Sequence, residues 1–498
     1  MSNNSVSLDN DSVSLTIDGI GVTVPKGTTI LEAARKVNIN IPTLCNFPGL
    51  GKRAVCRLCV VECDGRGKLV AACAGKVWEG ARVVTNNLRI FNIRKTIVKL
   101  LLADHPPDCL NCVRSKKCEL QTLASEFGIY SLPLSHAPVD TRPPETHGSA
   151  IVRNMSKCVK CGRCVETCQE VQTVRAINSS HRSIFYEICT PYGEALSEGP
   201  CIFCGQCAAV CPVGALYEYD QTAEVRRLLN DSAENTAVMI VPQTAAAMDR
   251  EFGLKTGAIT TGKMAAALKK LGFDRVYNAG FFADISVREE SAELLDRIKN
   301  RTGLPMIICC SPGWKKFVKN FFPDLVNHLP ECKNPEQNFN SFIKSSGIFG
   351  NDWPKISTVS VMPRIAGKYE TRKQGQGEAE SVDIALTTQE LARMIKSEGI
   401  DIGALPESSF DSPEEIVTGG NNSRETDTGN SGALELFLKN AHKNYYGKTE
   451  QAEPVLNVKV LSVKGLKDAR NVLESIRLSQ CDAALAEVSM ELDFQYNC

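Results

Sequence analysis

Apolar and polar residues alternate through 12–24 (SVSLTIDGIGVTV) and break once, at Asp18-Gly19, which predicts two strands joined by a hairpin turn. Pro25-Lys26-Gly27 ends the pair. Thr28-Thr29 then introduces ILEAARKV, whose apolar residues share one helical face. Residues 88–103 (LRIFNIRKTIVKLLLA) repeat the helical period and run into His105. Four prolines between 131 and 146 interrupt any period, which predicts a linker crossing the surface. After about residue 236 short apolar runs alternate with amphipathic stretches. AVMIV (237–241), MIICC (306–310), STVSVM (357–362) and ALAEVS (484–489) read as strands. TGKMAAALKKLG, EESAELLDRIKNRTG, TTQELARMIKSEG and LKDARNVLESIRL read as helices with Gly or polar stops. Such alternation predicts an α/β region with mostly parallel sheets. Residues 411–431, rich in Gly, Asn, Ser and acids, predict a long surface loop.

Composition narrows the class. At 498 residues the chain has room for roughly three or four domains. Its 57 basic and 57 acidic residues cancel, so charge gives no reason to expect nucleic acid or an anionic membrane as partner. No apolar run is long enough to span a membrane. The polar stretch 1–11 lacks an apolar signal core, so a cytoplasmic location is expected. Of the 22 cysteines, all but Cys309, Cys310, Cys332, Cys481 and Cys498 lie between Cys45 and Cys211. In a long chain with no secretory signal, that density indicates metal binding rather than disulfides.

Four spacings carry the chemistry. Cys45, Cys56, Cys59 and Cys73 supply four thiolates for a [2Fe–2S] core, with Gly49, Gly51 and Gly67 freeing the loop to wrap it. A zinc ribbon is the rival, although zinc usually takes two matched C-x2-C pairs and Cys45 and Cys73 are unpaired. Cys63 falls outside the spacing and is expected as a buried free thiol. His105, Cys109, Cys112 and Cys118, in HPPDC-x2-C-x5-C, suit a [4Fe–4S] cluster in which a neutral imidazole replaces one thiolate and raises the potential. A zinc site with the same ligands is its rival. Cys158, Cys161, Cys164 and Cys168, then Cys201, Cys204, Cys207 and Cys211 before Pro212, repeat the two-cluster ferredoxin pattern. There the fourth cysteine of each run ligates the other cluster. One [4Fe–4S] cluster is therefore expected on Cys158, Cys161, Cys164 and Cys211, the other on Cys201, Cys204, Cys207 and Cys168. Gly162 and Gly205 let the backbone turn tightly around the sulfurs. Cys189 is unplaced and expected to be structural.

This order of sites resembles the large [FeFe]-hydrogenases, their bifurcating relatives and the N-terminal end of the corresponding complex I subunit. The resemblance implies an α+β multidomain chain in four parts: a β-grasp [2Fe–2S] ferredoxin domain (1–92), a [4Fe–4S] domain with one His and three Cys ligands (93–135), a two-cluster ferredoxin domain (136–228) and an α/β hydrogenase-like domain (229–498). PGWKKFVKNFFPDL (312–325), VMPRIAGKYE (361–370), DIALTTQELARMIKSEGID (383–401) and VKGLKDARNVLESIR (463–477) extend it through the second half. The motifs that would hold the hydrogen-activating H-cluster depart from the family. TSCCPGW reads ICCSPGW at 308–314, so Ser311 takes a ligand position and Cys310 matches the proton-relay cysteine. MPCxAKKxE reads MPRIAGKYE at 362–370, with Arg364 for the ligand and Gly367 for the lysine that would hold the diiron site. EVMACPGGC reads EVSMELDFQ at 487–495, with Glu491 and Gln495 for both ligands. Arg cannot ligate iron, and Ser, Glu and Gln are poor substitutes for thiolate. Glu290 and Glu293 match the family's proton-path acids and, without a site to serve, are expected to be structural or on a helix surface.

The resemblance is nearest to the hydrogenase-like iron–sulfur subunit of Stn-type electron-bifurcating transhydrogenases. It implies one [2Fe–2S] and three [4Fe–4S] clusters, no H-cluster and no catalytic residue on this chain. The implied partners are a flavin- and NAD(H)-binding subunit of the HydB/NuoF type, a second flavoprotein subunit binding NADP(H), and ferredoxin. Two rivals stand: a relay subunit of another NAD-linked complex such as formate dehydrogenase, and a non-catalytic iron–sulfur assembly or sensing protein. Gly257-x4-Gly262-Lys263 nearly spells a P-loop, but Met264 replaces the Ser or Thr that would hold Mg2+. No G-x-G-x-x-G follows a strand, so flavin and NAD(P) are expected on other subunits.

Overall fold

Asp18 and Gly19 both adopt positive φ, 48° and 85°, as a tight two-residue hairpin requires. The turn pairs Ser12–Ile17 with Ile20–Pro25 in antiparallel register. The computed structural model describes residues 12–64, 68–131, 142–146, 148, 150–309, 311–345, 356–371, 381–412, 460–478 and 483–489. The expected linker at 132–141, most of the 411–431 loop, and Gly67, Cys310, Cys481, Glu491, Gln495 and Cys498 lie outside them. Two compact units are present. The first comprises 1–145, 152–199 and 206–217; the second comprises 146–151, 200–205 and 218–498.

The first unit opens with a five-stranded sheet in the order Ile20–Pro25, Ser12–Ile17, Arg82–Val84, Val60–Cys63, Lys68–Ala71. Ser12–Ile17 runs parallel to Arg82–Val84 and the remaining pairs are antiparallel, the arrangement expected of a β-grasp. Helix Ile30–Lys36 starts where the sequence indicates. The Thr29 hydroxyl accepts from the Glu32 amide at 3.2 Å and Glu32 accepts from the Thr29 amide at 2.8 Å, a capping box. Its buried face, Ile30, Leu31, Ala33 and Ala34, packs with Leu15, Ile17, Val61 and Val83. Helix Leu88–Ala103 matches its sequence pattern and is capped by Asn87, which accepts from the Ile90 amide. Arg94, on its buried side, donates to the carbonyls of Leu58 (3.0 Å) and Val60 (2.7 Å), tying the helix to the segment that carries Cys59.

The second unit holds two sheets, both parallel throughout. The larger runs Arg275–Asn278, Asn235–Ile240, Ile356–Met362, Ile384–Thr387; the smaller runs Met306–Ile308, Leu485–Ser489, Val460–Lys464. Both faces of the larger sheet are covered, which is why its strands read as continuous apolar runs. Val238, Ile240, Val359 and Val361 face one core, with Leu268, Leu391 and Ile395. Ala237, Met239 and Tyr277 face another, with Phe282 and Phe339.

Two elements differ from the sequence pattern. The MIICC strand stops at Ile308. The EESAELLDRIKN helix begins at Ala279 and runs 22 residues to Asn300, capped by Asn278. Gly280 and the aromatic pair Phe281–Phe282 hide its first turns from a periodicity count, and those rings pack on Phe339 and Phe342.

Among the described residues no helix is long and apolar enough to cross a membrane.

Candidate metal centres

Cys45, Cys59 and Cys73 are buried and Cys56 is half-buried on loops around the first sheet. The neighbouring Cys56 and Cys73 thiols stabilise the Cys45 thiolate and hold it far below the usual range, while Cys73 lowers Cys59 to about 7. The same contacts push Cys56 and Cys73 up. Four sulfurs that stabilise negative charge on one another are what a cationic iron core neutralises. Cys63 is buried on the neighbouring strand, its thiol raised by burial.

His105, Cys109, Cys112 and Cys118 line one cavity with Gln121 and Lys157. Helix Leu88–Ala103 delivers His105 and helix Glu119–Glu126 follows Cys118. His105 is buried, and burial followed by the Lys157 charge lowers its basicity, leaving the neutral imidazole that ligates metal. Its Nδ1 is buried with no hydrogen-bond partner, an orphaned ring nitrogen that fits a metal ligand.

Cys158, Cys161, Cys164 and Cys211 line a second cavity with Val159, Ile177, Ile188, Pro212 and Val213. These are the four residues that the ferredoxin spacing groups together. Burial raises Cys158 to about 11 and Cys161 to about 12, so ionisation there needs a compensating cation. Backbone amides already point at sulfur, with Lys160 N–H on Cys158 at 3.4 Å and Ala176 N–H on Cys168 at 3.2 Å. Gly162 holds φ 77° at the turn. Cys168 and Cys207 belong to the first unit.

Cys201 and Cys204 belong to the second unit, where Phe203 N–H donates to Cys201 Sγ at 3.4 Å. Gly205 holds φ 78°, and a Cβ there would come 2.5 Å from Ile365. Phe203 stacks on Tyr369 (ring centroids 4.3 Å apart), with the Lys316 ammonium about equally close to both rings.

Among the described residues no three of His, Cys, Asp and Glu converge closely enough to hold a single metal ion. An iron–sulfur core spreads its ligands around several metals instead of drawing them to one.

Within the first unit the sites are packed on one another. A Cβ on Gly51 would strike the Glu166 carboxylate, which accepts from Arg53 Nε at 3.0 Å. A Cβ on Gly214 would come 2.7 Å from Cys112 Sγ, and Arg114 donates to the Ala208 carbonyl at 2.8 Å. The sequence marks none of these contacts, because each joins residues from different motifs.

Of the four positions that the resemblance gives to H-cluster ligands, Ser311 and Arg364 are among the described residues. Ser311 is buried and caps helix Pro312–Phe321 by position. Arg364 is exposed. A Cβ on Gly367 would overlap Met362 Sδ, so any side chain there needs that methionine moved. Glu293 accepts from Arg297, the Glu331 amide and the Cys332 thiol, a structural role. Glu290 is half-buried on its helix, and burial lifts it to about 7. In the P-loop-like segment, Lys263 Nζ is spent on the carbonyls of Ala258 and Gly403.

Sequence reasoning missed the buried pair Lys368–Glu390. Lys368 Nζ lies 2.5 Å from both Glu390 oxygens and 2.6 Å from the Tyr219 carbonyl, with neither side chain exposed. Glu390 also accepts from the amides of Gln221 and Thr387. Beside it, burial and then the Glu390 charge raise Glu218 from 4.5 to about 6. A carboxyl with a raised folded pKa stabilises the fold below its unfolded value and loses that contribution as pH climbs. Stability should therefore fall as pH climbs from below 4.5 to above 6, by about 2 kcal/mol in all. Glu218→Gln should flatten that fall, seen as hydrogen-exchange protection of strand Ile384–Thr387 measured against pH.

Four family models match the chain: "2Fe-2S iron-sulfur cluster binding domain" at 10–88, "NADH-ubiquinone oxidoreductase-G iron-sulfur binding region" at 94–132, "NADH-quinone oxidoreductase subunit 3, ferredoxin-like domain" at 148–217, and "Iron only hydrogenase large subunit, C-terminal domain" at 234–490. The "NADP-reducing hydrogenase subunit HndD" of Solidesulfovibrio fructosivorans is 39% identical over 86% of this chain and 75% of its own length. "Iron hydrogenase 1" of Clostridium pasteurianum is 30% identical over 89% and 77%. The "NADPH-Fe(3+) oxidoreductase subunit alpha" of Geobacter sulfurreducens is 36% identical over 39% of this chain and 23% of its own length. A hydrogenase model covering more than half of the residues, with relatives matched over three quarters of their length, establishes that this chain belongs to the iron-only hydrogenase large-subunit family.

Proposed function

We propose that this chain is the electron-relay subunit of a cytoplasmic, flavin-containing, electron-bifurcating NAD(P)H/ferredoxin transhydrogenase of the Stn type, and that it has no hydrogenase activity of its own. One observation carries the reading: sixteen relay ligands are present while all four H-cluster ligand positions have lost cysteine. The relatives' names support an NAD(P)-linked complex, since one is an NADP-reducing hydrogenase subunit and another an NADPH-Fe(3+) oxidoreductase subunit. The relay is assigned to the [2Fe–2S] site in 1–92, the His-ligated [4Fe–4S] site in 93–135 and the two clusters of 136–228. The domain 229–498 serves as scaffold and docking surface. Electrons would pass between an NAD(H)-binding flavoprotein subunit and either a second flavoprotein binding NADP(H) or ferredoxin, and the protein tunes each step through burial, hydrogen bonds and ligand type.

The test is iron quantification and EPR on the purified complex, with a hydrogen-uptake assay. Expected from this chain are fourteen irons, two in the [2Fe–2S] core and four in each of three [4Fe–4S] cores, and no H-cluster signal. Robust hydrogen turnover, or an iron content matching fewer clusters, overturns the reading.

A further inference from the structure

We propose that Arg163 is the spacer that holds three cluster sites of the first unit at working separations, so that electrons cross between them at full rate only while its guanidinium is seated. The inference rests on the relay reading above. Arg163 lies between Cys161 and Cys164 and is 3% exposed. Its guanidinium forks onto Glu119, with Nη1–Oε1 at 2.6 Å and Nη2–Oε2 at 2.8 Å. Nη2 also donates to the Asn46 carbonyl at 3.3 Å and Nη1 to the Val210 carbonyl at 3.4 Å, and the group stacks over the Phe47 ring at 5.3 Å.

Each of the three hydrogen-bond partners flanks a cluster ligand. Glu119 follows Cys118, Asn46 follows Cys45, and Val210 precedes Cys211. A single planar group therefore touches the shoulder of the [2Fe–2S] site, of the His105 site and of the Cys158/Cys161/Cys164/Cys211 site.

Charge and geometry make different predictions for this residue. The Glu119 carboxylate sits bidentate on the guanidinium and offsets its charge, so tuning of potentials by that charge is largely cancelled. What remains is the fixed fork, whose Nη1 and Nη2 groups make four bonds in three directions from one plane. A lysine ammonium is a point charge on a flexible stem and cannot hold those directions together. The separate Arg53–Glu166 ion pair still ties the [2Fe–2S] loop to the same segment when Arg163 is replaced.

The experiment uses the full-length, cluster-loaded chain in its complex, with Arg163→Lys and Arg163→Met compared at wild-type iron content. Dithionite-reduced samples are read by EPR for spin–spin splitting between neighbouring clusters, and by flash reduction for the rate of electron equilibration among them. The wild type should show the splitting. Both variants should lose it and equilibrate more slowly, with each cluster's midpoint potential unmoved. Arg163→Lys behaving as wild type overturns the proposal, as do shifted midpoints with the splitting intact, or a wild type that loads fully yet shows no splitting. If Arg163→Met fails to load iron, Glu119→Gln decides, because it disturbs the same junction from its half-exposed side; an unaltered splitting there overturns the proposal. Failure of the relay reading itself is distinct: the wild type would lack the clusters.

Discussion

Lys368→Met removes about 3–5 kcal/mol of stability from the second unit. The lysine and Glu390 are both fully enclosed, so deleting the cation strands a carboxylate away from water. Glu390 cannot simply turn away, because it caps helix Thr388–Ser397 and accepts from the Gln221 amide. The loss should spread through Ile356–Met362 and Ile384–Thr387, read as faster amide exchange in both strands. The double variant Lys368→Met/Glu390→Gln should recover much of the loss, since a neutral amide keeps an oxygen for the cap without a buried charge. A single variant as protected as wild type would mean that the pair is solvated in solution.

His105→Ala should cost the second site its cluster, leaving ten of the fourteen irons while the other three signals persist. His105→Cys should keep fourteen irons and move that cluster's midpoint to more negative potential, because thiolate adds a negative charge that neutral imidazole lacks. The structural basis is the orphaned Nδ1 of a buried, neutral ring that shares a cavity with Cys109, Cys112 and Cys118. Iron analysis with EPR-monitored redox titration reads both variants. A His105→Ala protein with full iron content would remove the imidazole from the ligand set.

The cluster-binding domains were legible in the sequence because their cysteine motifs are local. C-x2-C-x2-C spacing follows from one loop wrapping one core, and it needs no knowledge of the rest of the fold. The grouping of Cys211 with Cys158, Cys161 and Cys164 was legible too, through the two-cluster repeat. The Asp18-Gly19 hairpin and the Thr29 cap were readable because turn and cap chemistry is set by a few adjacent residues. Arg163 was not readable, since its partners Asn46, Glu119 and Val210 come from three motifs. Lys368 was hidden for a different reason. It sits in a segment that resembles a cofactor-binding motif, and its partner Glu390 looks like an ordinary helix-cap glutamate. Short strands such as Arg275–Asn278 (RVYN) lack the apolar run that would mark them, and only pairing with Asn235–Ile240 makes them strands.

The all-parallel larger sheet has a consequence for how the chain is made. Its two central strands pair Ile240 with Val361, so the first waits on the ribosome until a long intervening stretch has been synthesised. During that interval Asn235–Ile240 can pair on one edge only, with Arg275–Asn278, and its other edge stays open until Ile356–Met362 is made. Chaperone demand and aggregation during expression should therefore track the second unit, while the early, locally paired hairpin of the first unit completes as it emerges.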